Sequence, residues 1–125
     1  MELSTKLYIL GDDGSKFLGA GVLWLLESVE EKGSLLSAAK SMGLSYTKAR
    51  AMLDNLERNL GCPVLDRRKG GAERSGATLT PFAHRLISLY RGFQDDVKAE
   101  ADRRFSSFLL SLDKLMEEEN EQRTI

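Results

Sequence analysis

Between residues 34 and 60 the apolar positions form two stripes of helical period with a break between them. Leu35, Ala38, Ala39 and Met42 recur at i, i+3, i+4 and i+7, and Ala49, Met52, Leu53, Leu56 and Leu60 repeat the same spacing after Gly43-Leu44-Ser45. Short helices nucleate poorly and depend on tertiary packing, so a core-filling segment would gain from running on. The interruption therefore implies a second requirement, that the later helix point its first turns away from the core. Ser34 and Ser45 are suited to cap the two helices, and Gly43 supplies the left-handed residue that turns the chain. Two helices joined at an angle through a short Gly-containing turn make a helix-turn-helix.

Around this pair the pattern predicts a small set of further elements. "TKLYIL" ends at the turn signal "GDDG" and predicts a strand over 5–10. Leu18, Val22, Leu25, Leu26 and Val29 predict a helix closed by Gly33. "PVLDRR" and "GATLT" are short β-prone runs on either side of "KGGAERS", which suits a hairpin tip. Thr80-Pro81 is a helix start, with Thr as N-cap and Pro in the first turn. From there Phe82, Leu86, Leu89, Tyr90, Phe93, Val97, Ala101, Phe105, Phe108, Leu112 and Leu115 carry an apolar seam into the 110s, with Arg103–Ser107 the place where it would break. The final "EEENEQRTI" is polar and without period, and is expected to be a disordered tail. The predicted fold is mainly α with a small β-hairpin, a winged helix-turn-helix with a long C-terminal helix. It divides as 1–95 for the winged domain, 96–118 for a helical extension suited to dimerisation, and 119–125 for the tail.

Composition sharpens this reading through the distribution of charge. Net charge is −1 over 125 residues, which says little about nucleic acid until it is resolved along the chain. Residues 1–33 carry three bases against six acids, residues 34–91 ten against four, and residues 92–125 five against nine. A basic middle lies between acidic ends. No run of about 18 uncharged apolar residues occurs, and the first residues lack the basic start of a signal peptide, so the cytoplasm is expected and no membrane partner. A single cysteine, Cys62, excludes an intrachain disulfide framework.

The chemistry lies on the second motif helix and in the hairpin. With its buried stripe removed, that helix leaves Ser45, Tyr46, Thr47, Lys48, Arg50, Ala51 and Asn55 toward its exposed N-terminal part. The major groove admits an α-helix and shows a distinct pattern for each base pair, so Arg50 suits guanine, Asn55 adenine, and Thr47 or Ala51 a thymine methyl. The alternative for Arg50 is a surface arginine paired with Asp54 at i+4. In the hairpin Arg67, Arg68, Lys69 and Arg74 flank two glycines, where cations on a pliable backbone can follow phosphates. Ser34 and Ser37 could hold a phosphate at their helix N-terminus, or simply serve as cap and surface residues. His84 and Cys62 each stand alone, so neither a zinc site nor a nucleophile with its base can be assembled, and "KGGAERSG" lacks the ending of a phosphate loop. No enzyme, cofactor or metal is expected. Phe93, Val97, Phe105, Phe108, Leu112 and Leu115 exceed what one small core can cover, which predicts a homodimer through the long helix.

"GSLLSAAKSMGLSYTKARAMLDNLERNLGCPVLDRRKGGAERSGATLTPFAHRLISLY" resembles the N-terminal DNA-binding domain of the ModE-type molybdate-responsive transcriptional regulators, relatives of the LysR-type winged helix. The resemblance rests on "GS" before the first motif helix, "AAKSMGLSY", the glycine-containing wing and "LT" opening the last helix, and spans residues 18 to about 95. It implies a homodimer on double-stranded operator DNA, using helix 45–60 and the wing at 67–76. Ser45, Tyr46, Lys48 and Arg50 match the family's recognition-helix positions and Arg68 its wing. Glu73, Arg74 and Ser75 stand where that family tends toward glycine. These regulators usually carry a C-terminal oxyanion-binding domain, for which the 125 residues leave no room, so no small-molecule effector is expected for this chain. A protein-interaction module built on the same scaffold is the alternative function.

Overall fold

In a computed structural model the chain is described over residues 1–67 and 76–124, with the side chains of Arg67 and Thr124 outside that description. The elements run β1 (Ile9–Leu10), β2 (Lys16–Leu18), α1 (Ala20–Lys32), α2 (Leu35–Ser41), α3 (Tyr46–Leu60), β3 (Leu65–Arg67), β4 (Ala77–Leu79) and α4 (Pro81–Thr124). The residues group into two units, Lys6–Tyr90 and a second made of Met1–Thr5 with the residues from Arg91 onward.

The core of the first unit gathers Leu25, Leu26 and Val29 of α1, Ala38 and Ala39 of α2, Ala49, Leu53 and Leu56 of α3, and Val64, all but closed to solvent. Ala38, Ala39 and Ala49 let three helices approach closely, as the small middle of the α2 stripe anticipates. Met42, Leu44 and Met52 pack against this core while half-buried. Among the described residues no polar side chain is buried. Hydrophobic burial, at about 25 cal/mol per Å² of apolar surface, is thus the term that organises this unit.

The wing is the antiparallel pair β3–β4, in register Leu65↔Leu79, Asp66↔Thr78 and Arg67↔Ala77. Its base is tied down in two places. Ala77 N–H donates to Gly33 O at 2.9 Å, and Thr80 N–H donates to Val64 O at 3.0 Å. The Thr80 hydroxyl donates to Pro63 O at 2.8 Å and accepts from Ala83 N–H at 3.1 Å, so one side chain both closes the wing and starts α4.

Three expectations are corrected. The strand read over 5–10 is confined to Ile9–Leu10, and it pairs with a strand the pattern did not reveal, Lys16–Leu18. Leu18 therefore belongs to β2 and not to the α1 stripe; its spacing to Val22 matched a helical period by coincidence. Asp13 holds the reversal between the strands, its carboxylate accepting from Ser15 N–H at 2.9 Å and Ser15 Oγ at 2.8 Å. The Ser15 backbone donor, with its hydroxyl second, keeps that carboxyl below its ordinary pKa. The third correction is the tail: α4 passes Arg103–Ser107 unbroken and stays helical to Thr124. Lack of apolar period misled there, because Glu, Gln and Arg are good helix formers without any stripe.

Candidate nucleic-acid interface

The turn between α2 and α3 is built by backbone geometry. Gly43 has φ +68°. Its N–H donates to Lys40 O at 3.1 Å, and Leu44 N–H donates to Ala39 O at 2.9 Å, the paired bonds of a Schellman ending. Leu44 then packs against the core. Ser45 is extended at φ −69°, ψ 153° and accepts from Lys48 N–H at 3.1 Å, capping α3. Ser34 does the same for α2 with Ser37 N–H at 3.1 Å, which is its capping role.

This turn leaves one face of α3 outside. Ala49, Leu53 and Leu56 are buried, whereas Ser45, Tyr46, Thr47, Lys48 and Ala51 are exposed and Arg50 is half-exposed. Those six, all named from the sequence, lie within the first two turns of a single helix. Arg50 carries the ion pair its spacing allowed: its Nε donates to Asp54, with Oδ1 at 3.2 Å and Oδ2 at 3.3 Å. An exposed i,i+4 pair adds about 0.3–0.5 kcal/mol, so it does not hold the helix.

Asn55 is placed differently from the other six. Its Nδ2 donates to Lys16 O at 3.3 Å, and its Oδ1 accepts from Arg58 Nη2 at 3.2 Å and from Asn59 Nδ2 at 3.1 Å. Both ends of the amide, expected to meet an adenine, are already in use at the junction between α3 and the β1–β2 hairpin. That hairpin is the part of the arrangement sequence reasoning missed. It backs the C-terminal half of α3, and a Cβ on Gly11 would lie 2.4 Å from Asn59 Oδ1. "GDDGSKFL" carried the signal, a turn followed directly by β-formers.

Of the hairpin cations, Arg67 ends β3 opposite Ala77, while Arg68, Lys69 and Arg74 lie outside the described residues. On α4, Phe93, Phe108 and Leu115 are 48%, 56% and 59% exposed. Val97, Phe105 and Leu112 are half-buried. The Phe105 and Phe108 rings stack with centroids 6.3 Å apart. His84 faces Glu30 at 3.3 Å (Nδ1 to Oε2) on the surface, and Cys62 is half-buried. No helix among the described residues is long and apolar enough to cross a membrane.

Residues 22–84, half of the chain, match the family of bacterial regulatory helix-turn-helix proteins of lysR type. The chain is 33% identical over 79 residues to the molybdenum transport protein ModE of Azotobacter vinelandii, covering 63% of this chain and 29% of that protein. It is 34% identical over 95 residues to the molybdenum-pterin-binding protein MopB of Rhodobacter capsulatus, covering 76% of this chain and 34% of that one. The chain thus spans about a third of the length of these relatives. Among solved structures, the CbnR DNA-binding domain in complex with DNA superposes with TM-score 0.54 at 24% identity, over 70% of this chain and 94% of that one. Full-length CbnR complexed with its target DNA gives TM-score 0.52 at 25% identity, over 66% and 27% respectively.

Proposed function

Because this chain belongs to the lysR family of bacterial regulatory helix-turn-helix proteins, and is homologous to ModE and MopB, we propose that it binds double-stranded operator DNA sequence-specifically as a homodimer, in the cytoplasm, and works by binding alone. The observation that carries this reading is the face of α3 on which Tyr46, Thr47, Lys48 and Ala51 stand exposed and Arg50 half-exposed, with Ala49, Leu53 and Leu56 buried behind them. In the major groove Arg50 reads a guanine, Thr47 or Ala51 meets a thymine methyl, and Ser45, Tyr46 and Lys48 contact the adjoining backbone. Asn55 supports the helix from the hairpin side. Arg67, Arg68, Lys69 and Arg74 of the wing neutralise phosphates.

Dimerisation is assigned to α4 beyond residue 95. Phe105, Phe108, Leu112 and Leu115 alternate spacings of three and four, the 3.5-residue seam of a two-helix coiled coil. Burying a Phe or Leu is worth roughly 1.5–3 kcal/mol, so leaving this seam open is costly and a second copy of the same helix matches it. Two paired α3 helices then read half-sites about 34–36 Å apart.

The test is selection from a random duplex library, followed by titration of the enriched and scrambled duplexes at several salt concentrations. Enrichment of one palindrome is the expected result. Arg68→Ala should weaken all duplexes alike and lower the slope of log affinity against log salt by about 0.9 for each phosphate it no longer neutralises. Equal affinity for every duplex, with neither Arg50→Ala nor Arg68→Ala changing it, would sink the reading and leave an interaction module on the same scaffold.

A further inference from the structure

Arg50 and Asp54 are ordered on α3 in the sense less favourable to the helix. A cation N-terminal to an anion at i,i+4 opposes the helix dipole, and Asp54 is one of only four acids in the basic stretch 34–91. Both of its oxygens approach one atom of Arg50, the Nε, at 3.2 and 3.3 Å, and among the described residues no partner engages the Nη nitrogens. A guanidinium is planar and its five donors are fixed relative to one another. Pinning Nε therefore closes the Nε-side edge and leaves the Nη1–Nη2 edge as the fork that can meet a base.

From this geometry, and resting on the DNA-binding reading above, we infer that Asp54 is a positioning residue for base recognition: it presents Arg50 end-on to the two acceptors of a guanine, while its own charge weakens the attraction to phosphates on every duplex alike. With Arg50 already held by the acid before DNA is met, the bidentate contact forms without a search among rotamers. Over a wrong base the same pair persists, but the Nη edge of Arg50 finds no matching pair of acceptors and gains nothing in return. Discrimination then comes from the oriented contact at guanine, and the acid lowers only the sequence-independent part of the binding.

The experiment compares wild type, Arg50→Ala, Asp54→Asn and the double variant on duplexes enriched by wild type from a random library. Each of the enriched base pairs is substituted in turn, with a scrambled duplex as reference. Arg50→Ala should lose roughly 5- to 150-fold discrimination at one base pair of each half-site. Asp54→Asn should lose at least about fivefold at the same base pair while its affinity for the scrambled duplex rises, and the double variant should lose no more discrimination than Arg50→Ala alone. A structural role would lower affinity on all duplexes and leave base preference intact; that outcome overturns the inference, as does a loss confined to a neighbouring base pair, which would make Asp54 a base reader. If wild type itself enriches no sequence, the DNA-binding reading fails and the inference with it, a result distinct from enrichment that Asp54→Asn leaves untouched. Unchanged thermal unfolding of Asp54→Asn verifies that the exposed substitution leaves the fold in place.

Discussion

At the scale of single residues, the motif turn depends on one backbone angle. Gly43 sits at φ +68° and a Cβ there would meet no atom within 4 Å. Gly43→Ala should therefore lose about 1–2 kcal/mol from conformation alone, whereas Gly21→Ala, in α1 with equally open space and no positive φ, should gain about 0.5 kcal/mol by restricting the unfolded chain. Opposite shifts in the urea midpoint with unchanged slope would verify the pair; two losses would mean that α1 needs Gly21 for another reason. Arg50→Ala belongs to the same scale. On the proposed reading it should cost about 1–3 kcal/mol at the preferred site and relax preference at one base pair. A uniform loss across duplexes would mean that α3 faces the DNA differently.

Elements are held by side chains placed at their ends. Thr80 joins the wing to the start of α4 with two hydrogen bonds, so Thr80→Ala should destabilise the first unit by about 1–2 kcal/mol, through the missing cap together with an unpaired carbonyl. Thr80→Ser keeps both bonds and should lose less, which differential unfolding of the two variants would measure. Ser45→Ala removes the cap of α3 and should cost about 0.5–2 kcal/mol. Because it frays the turn that carries Tyr46 to Arg50, hydrogen exchange at Lys48 N–H should accelerate more than exchange at Leu56. Equal protection at both positions in the variant would show that packing alone holds the N-terminus of α3.

For the whole molecule, the expected dimer is decided by how much apolar surface α4 leaves open. Phe108 at 56% and Leu115 at 59% exposure should be covered by a second copy. Sedimentation at tens of micromolar should then show a dimer, and Phe108→Asp a monomer that retains its helical circular dichroism. Since the two half-sites are bound through one linkage, the same substitution should also weaken operator binding by one to several orders of magnitude. A wild-type monomer at that concentration, or a Phe108→Asp dimer through this helix, would remove the assignment of 96–118.

The winged helix-turn-helix and its caps were legible in the sequence because they follow from local rules. Gly33, Gly43 and Gly61 end helices at positive φ, Ser34, Ser45 and Thr80 cap the next ones, and the alanines of α2 and α3 mark where helices meet. The exposed face of α3 was legible for the same reason, being what remains when the buried stripe is subtracted. Only the tertiary structure decided the rest. The strands of β1–β2 are signalled only by a turn followed by β-formers, and what makes them a hairpin is their pairing and α3 beside them. Asn55 and Ala51 look alike as exposed positions on a helical wheel, yet the Lys16 carbonyl, 39 residues away in sequence, takes up the Asn55 amide. Helical period tells which way a side chain points; what it meets there depends on long-range packing that no local window contains.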